Sequence, residues 1–269
     1  MNTALSVNVN KIAWLRNARE GIRPDIGAIS KKIIDYGAAG ITVHPRPDQR
    51  HIRPDDVYQL STITKTFNVE YNIEGNPTAG PQTNGYPGFM KLVRDTCPTQ
   101  CTLVPDTTNQ LTSDHGWKLR ESKQKETVSH FVNEAHELGC RVSIFADADP
   151  EIVRLAHQTR TDRIELFTGP WATAVASHGI DSTEAREWLA RYVEAAEVAH
   201  ELGLGVNAGH DLDLNNLAEF CRAVNVAEVS IGHALIADAL EYGLEAVVQR
   251  YLDVIRHGCK LRDLQSGRE

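Results

Sequence analysis

Two guanidinium groups and two imidazoles fall within the run Gly40-Ile-Thr-Val-His44-Pro-Arg46-Pro-Asp-Gln-Arg50-His51. Cations of this kind attract a phosphate or carboxylate, and the imidazoles can also move protons near neutral pH. The apolar stretch Gly40 to Val43 reads as a strand. Pro45 and Pro47 stop it, because proline lacks the N–H a central strand needs and forces its predecessor into extended geometry. His44 and Arg46 are therefore expected just past a strand's carboxyl end, where parallel α/β folds bind ligands. A solvated basic loop has the same composition, so the other strand ends must decide between the two.

Those ends carry Asn8, Asn10 and Lys11 after the first strand, Glu74 at the third, Thr112 after the fourth, and Asp147 and Asp149 after the fifth. Glu165 lies in the sixth, His210 follows the seventh, and Gly232 and His233 follow the eighth. Glu165 sits between Ile164 and Leu166 and is expected to point into the barrel, where an unpaired carboxylate is expensive. Either it serves the chemistry or it pairs with a neighbouring arginine or lysine. Glu74 is followed by Gly75, which would let a ligand approach. Its alternative is a solvated rim carboxylate. In Asn207-Ala-Gly-His210, the small Ala208 and Gly209 are expected to leave room beside the imidazole. Gly232-His233 opens the last helix, whose free N–H groups suit a phosphate. His115 and the histidines of the helices read as background.

Eight strands and eight helices are needed to position these groups. The strands read as Leu5–Val9, Gly40–Val43, Val69–Ile73, Cys101–Val104, Arg141–Phe145, Arg163–Phe167, Gly203–Asn207 and Glu228–Ile231. Helical periodicity covers Asp25–Tyr36, Pro54–Thr66, Tyr86–Asp95, Lys123–Leu138, Pro150–Gln158, Ser182–Leu202, Leu214–Val224 and Ala234–His257. Asp149-Pro150 and Asp181-Ser182-Thr183-Glu184 are start signals, and Gly139 and Gly203 close the helices before them. Unbroken alternation predicts one α/β domain over residues 1–269, a (β/α)8 TIM barrel. Two added segments on its carboxyl face, Trp14–Arg23 and Pro105–Glu121, read as loops able to cover a ligand. No GxGxxG turn marks a dinucleotide fold.

Composition narrows the function class. The 269 residues are 41% hydrophobic and 24% charged with a net charge of -8, so no basic face invites nucleic acid or a membrane surface. Five cysteines without CxxC spacing indicate free thiols in a reducing compartment, hence the cytoplasm. The first residues carry no signal pattern, and no run reaches membrane-spanning length.

The segments Val7–Arg19, Gly40–His51, Asn72-Ile-Glu74, Leu103-Val-Pro105, Phe145-Ala-Asp147, Ile164-Glu165, Val206–His210 and Ile231–Ala234 resemble the pyridoxine 5'-phosphate synthase (PdxJ) family. The resemblance implies condensation of 1-deoxy-D-xylulose 5-phosphate with 3-amino-2-oxopropyl phosphate, releasing phosphate and water. This is acid-base chemistry with no metal and no cofactor. It implies His44 and Glu74 as proton acceptors, His210 as donor and Glu165 as the group that stabilises developing charge. Asn8, Arg19, Gly232 and His233 would hold the aminoketone phosphate, and Arg46, His51 and Thr112 the sugar phosphate. Asn10, Lys11 and Asp211 would add substrate contacts, though at these positions the chain departs from the Asp-His and the glycine of the family pattern. Thr107-Thr108 replaces a basic pair. The family pattern also implies a homo-octamer built from dimers. Two rivals stand beside this reading: a metal-dependent barrel aldolase or hydrolase, for which His-x-His and His-Glu-x-x-His spacings are absent, and a non-catalytic phosphate-binding barrel.

Overall fold

A computed structural model describes residues 3–107, 109–265 and 267. The first half runs β1 (Ala4–Asn8), α1 (Asn10–Asn17), α2 (Ile26–Asp35), β2 (Gly40–Val43), α3 (Pro54–Phe67), β3 (Glu70–Gly75), α4 (Phe89–Thr96) and β4 (Gln100–Leu103). The second runs α5 (Ser122–Glu137), β5 (Arg141–Ala146), α6 (Pro150–His157), β6 (Arg163–Phe167), α7 (Gly169–His178), α8 (Thr183–Glu201), β7 (Gly205–Gly209), α9 (Leu217–Ala223), β8 (Glu228–Ile231), α10 (His233–Tyr242) and α11 (Leu244–Gln265). Among the described residues the strands pair in parallel, in chain order, and β8 closes on β1. The expected TIM barrel is present, with every strand end on one rim.

Three helical features differ from the sequence reading. The segment after β1 was expected as loop from Trp14, yet α1 occupies Asn10–Asn17. Asn8 Oδ1 accepts the Asn10 N–H at 3.0 Å, and Arg16 turns inward to a buried ion pair with Asp56. A second helix, α7, follows β6 with Pro170 in its first turn. The single final helix is two, broken where Gly243 takes φ 82° and only glycine is unstrained. The seventh strand starts at Gly205, because Gly203 at φ 78° still belongs to the closing turn of α8.

Each strand alternates, and the apolar set faces outward. Val7, Ile41, Ile73, Leu103, Ile144, Leu166 and Ile231 pack beneath the helices as the buried core. The inward set is mostly polar, with Phe145 and Phe167 as aromatic exceptions near the rim. Ser6 and Thr42 hydroxyls meet at 2.7 Å, Asn72 Nδ2 reaches Thr42 at 3.4 Å, and Thr102 donates to Asn72 at 3.0 Å. Lower down, Asn207 of β7 donates to Gln100 of β4 across the barrel at 3.3 Å, while Arg163 faces Glu228 at 3.6 Å. Many barrels fill this space with branched aliphatic layers. Here the interior is a column of hydrogen-bonding groups topped by Glu74 and Glu165. Among the described residues, no helix is long and apolar enough to cross a membrane.

Candidate active site

At the carboxyl rim lies a cavity of about 300 Å³. β1 and α1 contribute Asn8, Asn10, Lys11 and Trp14 to its wall, the loop after β2 gives His44, Arg46 and His51, and β3 gives Glu74. The opposite wall holds Thr112, Ser113, Phe145, Glu165, His210 and Asp211, with Gly232 and His233 beyond. Of the residues gathered from the strand ends and the family pattern, Arg19, Asp147 and Asp149 do not line it, and the other expected site residues meet here. Arg19 is exposed beyond the end of α1 and lines no part of the cavity, whereas Arg16, three residues earlier, is the inward-turned arginine.

His44 stands between two carboxyls. Its Nδ1 is 3.9 Å from Glu74 Oε2, and its Nε2 is 3.5 Å from Asp106 Oδ2. Its backbone N–H donates to Asn10 Oδ1 at 3.0 Å, so Asn10 also straps the first two strand ends together. Burial, with Arg46 and His51 nearby, holds His44 well below the usual imidazole range. Glu74 accepts from Asn8 at 3.5 Å and from Asn72 at 3.4 Å. Burial and the carboxyls of Glu165 and Glu228 push it well above the carboxylate range, against Arg46. Glu165 is 4% exposed, and its Oε2 has no hydrogen-bond partner among the described residues. Burial raises it to about 7. Among the described residues, the ion pair offered as its alternative explanation is absent.

His210 is held from both sides. Its Nε2 lies 2.8 Å from Thr112 Oγ1, its Nδ1 3.0 Å from Asp211 Oδ2, and its ring meets Phe167 edge-on. His210 and Asp211 take φ 88° and 58°, a left-handed pair that side chains resist. Thr168 restrains the turn by donating to the carbonyls of Gly209 and His210. Across the cavity, Arg46 is anchored by a buried ion pair to Asp106 and by the Gln110 carbonyl at 3.4 Å. His51 Nδ1 accepts the Ile52 N–H at 2.9 Å, which leaves Nε2 to carry the proton. Burial and the cations around it push His51 down to about 3, so it is a neutral donor. Lys11 Nζ sits 4.6 Å from the Trp14 ring centroid, lowered in pKa by burial, Arg46 and Arg50 rather than by the Arg16 and Arg19 nearest in sequence. The N–H groups at the start of α10, from His233 onward, open toward the same space.

Several sequence inferences change. Gly75 makes room for Phe89 rather than for a ligand, since an added Cβ would stand 2.5 Å from that ring. Gly209 makes room for Glu165, whose Oε1 would be 2.5 Å from such a Cβ. Asp147 accepts from Gly116 N–H at 2.8 Å and Asp149 caps α6, so both organise loops outside the cavity. Thr107 N–H donates to Gln110 at 2.6 Å, and Thr108 lies outside the described residues. Sequence reasoning passed over Asp106, Ser113, Asn72 and Glu228. Asp106 directly follows Val104-Pro105 at a strand end, a signal of the kind that marked His44. Among the described residues, no cluster of three His, Cys, Asp or Glu is arranged to hold a metal ion.

Known proteins resemble this chain in sequence and in fold. The family described as "Pyridoxal phosphate biosynthesis protein PdxJ" matches residues 5–257. A pyridoxine 5'-phosphate synthase of Xanthomonas campestris pv. campestris (strain B100) is 53% identical over 96% of this chain and 98% of its own. The protein of that name in Xylella fastidiosa (strain M12) is 50% identical over 94% and 95%. A thiamine phosphate pyrophosphorylase from Pyrococcus furiosus superposes with a TM-score of 0.56 at 10% identity, covering 95% of this chain and 96% of that one, which is likeness of fold alone. Matched along nearly its whole length by the family and by relatives that share half or more of its residues, the chain belongs to the PdxJ family.

Proposed function

We propose that the protein is a pyridoxine 5'-phosphate synthase, joining 3-amino-2-oxopropyl phosphate to 1-deoxy-D-xylulose 5-phosphate with loss of phosphate and water. The observation that carries this is 53% identity, over 96% of the chain, to a relative bearing that name. The cavity suits the reaction. Two phosphates need two cationic or N–H-rich ends, and Arg46 with His51 lies at one end while the start of α10 lies at the other.

The proton inventory assigns roles. Imine formation between the amine and the ketone requires a proton taken from nitrogen and another delivered to the departing oxygen. His44, kept neutral by burial and Arg46, is the acceptor available in the cavity. Glu74 is biased toward its protonated form, because burial and the nearby carboxyls of Glu165 and Glu228 disfavour another negative charge in the barrel. It becomes an acceptor after passing that proton to a departing oxygen, an ionisation favoured by the positive charge of the substrate ammonium or of the His44 imidazolium 3.9 Å distant. His210, fixed by Thr112 and Asp211, delivers protons to leaving oxygens. Glu165, raised to about 7 by burial, answers, as its carboxylate, positive charge on the nitrogen when the ring forms. Asn8, Gly232 and His233 bind the aminoketone phosphate, with Lys11 as a point charge beside it. Arg19 would act only outside this cavity.

The test is product formation from the two purified phosphates, read by absorbance of the new pyridine ring. His44→Asn and Glu74→Gln should each lose on the order of 10²- to 10⁴-fold in kcat, while Arg46→Ala should chiefly raise one substrate's KM. Near wild-type kcat in both acid-base variants sinks the role assignment, and absence of product sinks the reaction. We further propose a cytoplasmic homo-octamer built from dimers. Its support is the family resemblance together with five unpaired cysteines, and a monomeric mass in sedimentation would refute the assembly.

A further inference from the structure

Asp106 is buried, 7% exposed, and does not line the cavity that holds the proposed chemistry. It borders a second void of about 250 Å³ on the far side of His44 and Arg46, so it stands behind both. One oxygen, Oδ2, serves three groups: the Arg46 guanidinium, the Ser113 hydroxyl at 2.8 Å and His44 Nε2 at 3.5 Å. The other, Oδ1, has no hydrogen-bond partner among the described residues. A fold seeking only stability would not leave a buried carboxylate half satisfied beside two cavity residues. The backbone is pinned as well, because Asn76 Nδ2 donates to the Asp106 carbonyl at 2.8 Å.

We propose that Asp106 is a positioning residue for the reaction, holding Arg46 at the angle that meets a phosphate and steadying His44 when that ring takes up a proton. The inference rests on the roles given above to His44 and Arg46. Its logic is that of a carboxylate behind a histidine base, which sets ring orientation and stabilises the imidazolium without itself being protonated. With Nε2–H facing Asp106, the 3.5 Å separation tightens into a charge-assisted hydrogen bond once Nδ1 has taken up a proton and the ring is positively charged. Removal of Asp106 would leave Arg46, among the described residues, with the Gln110 carbonyl as its remaining hydrogen-bond partner, so the guanidinium would lose its fixed direction.

Steady-state kinetics with both substrates test this in Asp106→Asn, Arg46→Ala, the double variant and His44→Asn. Asp106→Asn should lower kcat by roughly 10- to 100-fold through His44 and raise KM for the same phosphate substrate that Arg46→Ala affects. In the Arg46→Ala background the KM effect of Asp106→Asn should vanish while the kcat effect persists, a non-additivity expected only of coupled residues. Asp106→Glu should recover part of the lost kcat. A purely structural role would lower melting temperature and leave kcat and KM of the folded enzyme alone, and that result overturns the proposal. If Asp106→Asn does not fold, Asn76→Ala replaces it, since Asn76 lies outside the main cavity and holds the Asp106 carbonyl. Smaller shifts of kcat and KM in the same directions support the inference, and unchanged kinetics overturn it. Wild-type kinetics in His44→Asn and Arg46→Ala would instead bring down the reading of the site itself, and this inference with it.

Discussion

Glu165→Gln should make the protein more stable and less active, and the stability gain should depend on pH in a direction set by burial. The folded chain keeps the Glu165 proton up to about pH 7, while an unfolded chain releases it near 4.5. Across that window the folded state binds more protons, so its stability falls as pH rises. Each tenfold change in proton affinity is worth about 1.4 kcal/mol, so the buried carboxylate costs about 3 kcal/mol once ionised above pH 8 and almost nothing below pH 4. Glutamine has the same shape and never ionises. Its neighbours push the same way, because the Glu165 charge is among the reasons Glu74 and Glu228 retain their protons. A domain of this size shifts by roughly 2–4 °C per kcal/mol, so the variant should melt about 5–10 °C above wild type at pH 8.5 and within a degree or two at pH 4.5. Thermal melts followed by circular dichroism at the two pH values read this directly. Turnover should fall on the order of 10²- to 10³-fold, as when one preorganised charge-stabilising group is removed. Equal melting at pH 8.5, or a gap of the same size at both pH values, refutes the claim that Glu165 ionises at a cost inside the barrel.

Three further outcomes follow from other parts of the molecule. Lys11 should bind as an ammonium and form no imine: borohydride with deoxyxylulose phosphate alone should add no mass, and Lys11→His should keep substantial activity, whereas an adduct mapping to Lys11 would make it a nucleophile. Exhaustive chelation should leave turnover unchanged, and activity lost to the chelator and restored by one divalent ion would favour the metalloenzyme rival. Gly258→Ala should lower stability by about 1–3 kcal/mol with kcat intact, because the new methyl would lie 2.4 Å from the Ala218 carbonyl where α11 crosses α9. An unchanged melting temperature would mean that the two helices separate at little cost.

The sequence by itself determined the order of elements and which face of the barrel does chemistry. Period, proline, capping residues and closing glycines act over a few neighbours, so Gly40–Val43 ending at Pro45 and the start at Asp149-Pro150 are legible locally. Short elements were not. α1 starts on a side-chain bond from Asn8 and holds Arg16 against Asp56, forty residues away in the chain. α7 follows a strand with little room for a period to show. The purposes of Gly75 and Gly209 were misread for the same reason, since the atoms they admit, the Phe89 ring and the Glu165 carboxyl, come from other segments. Likewise, only tertiary structure decided that polar groups well beyond Glu165 fill the inward face, that Arg16 rather than Arg19 is enclosed, and that Asp106 stands behind His44 and Arg46. Protonation depended on it most of all. Glu74 and Glu165 look alike as letters, yet each is set by burial and by charges contributed from strands far apart in sequence, and those fields exist only once the barrel has closed.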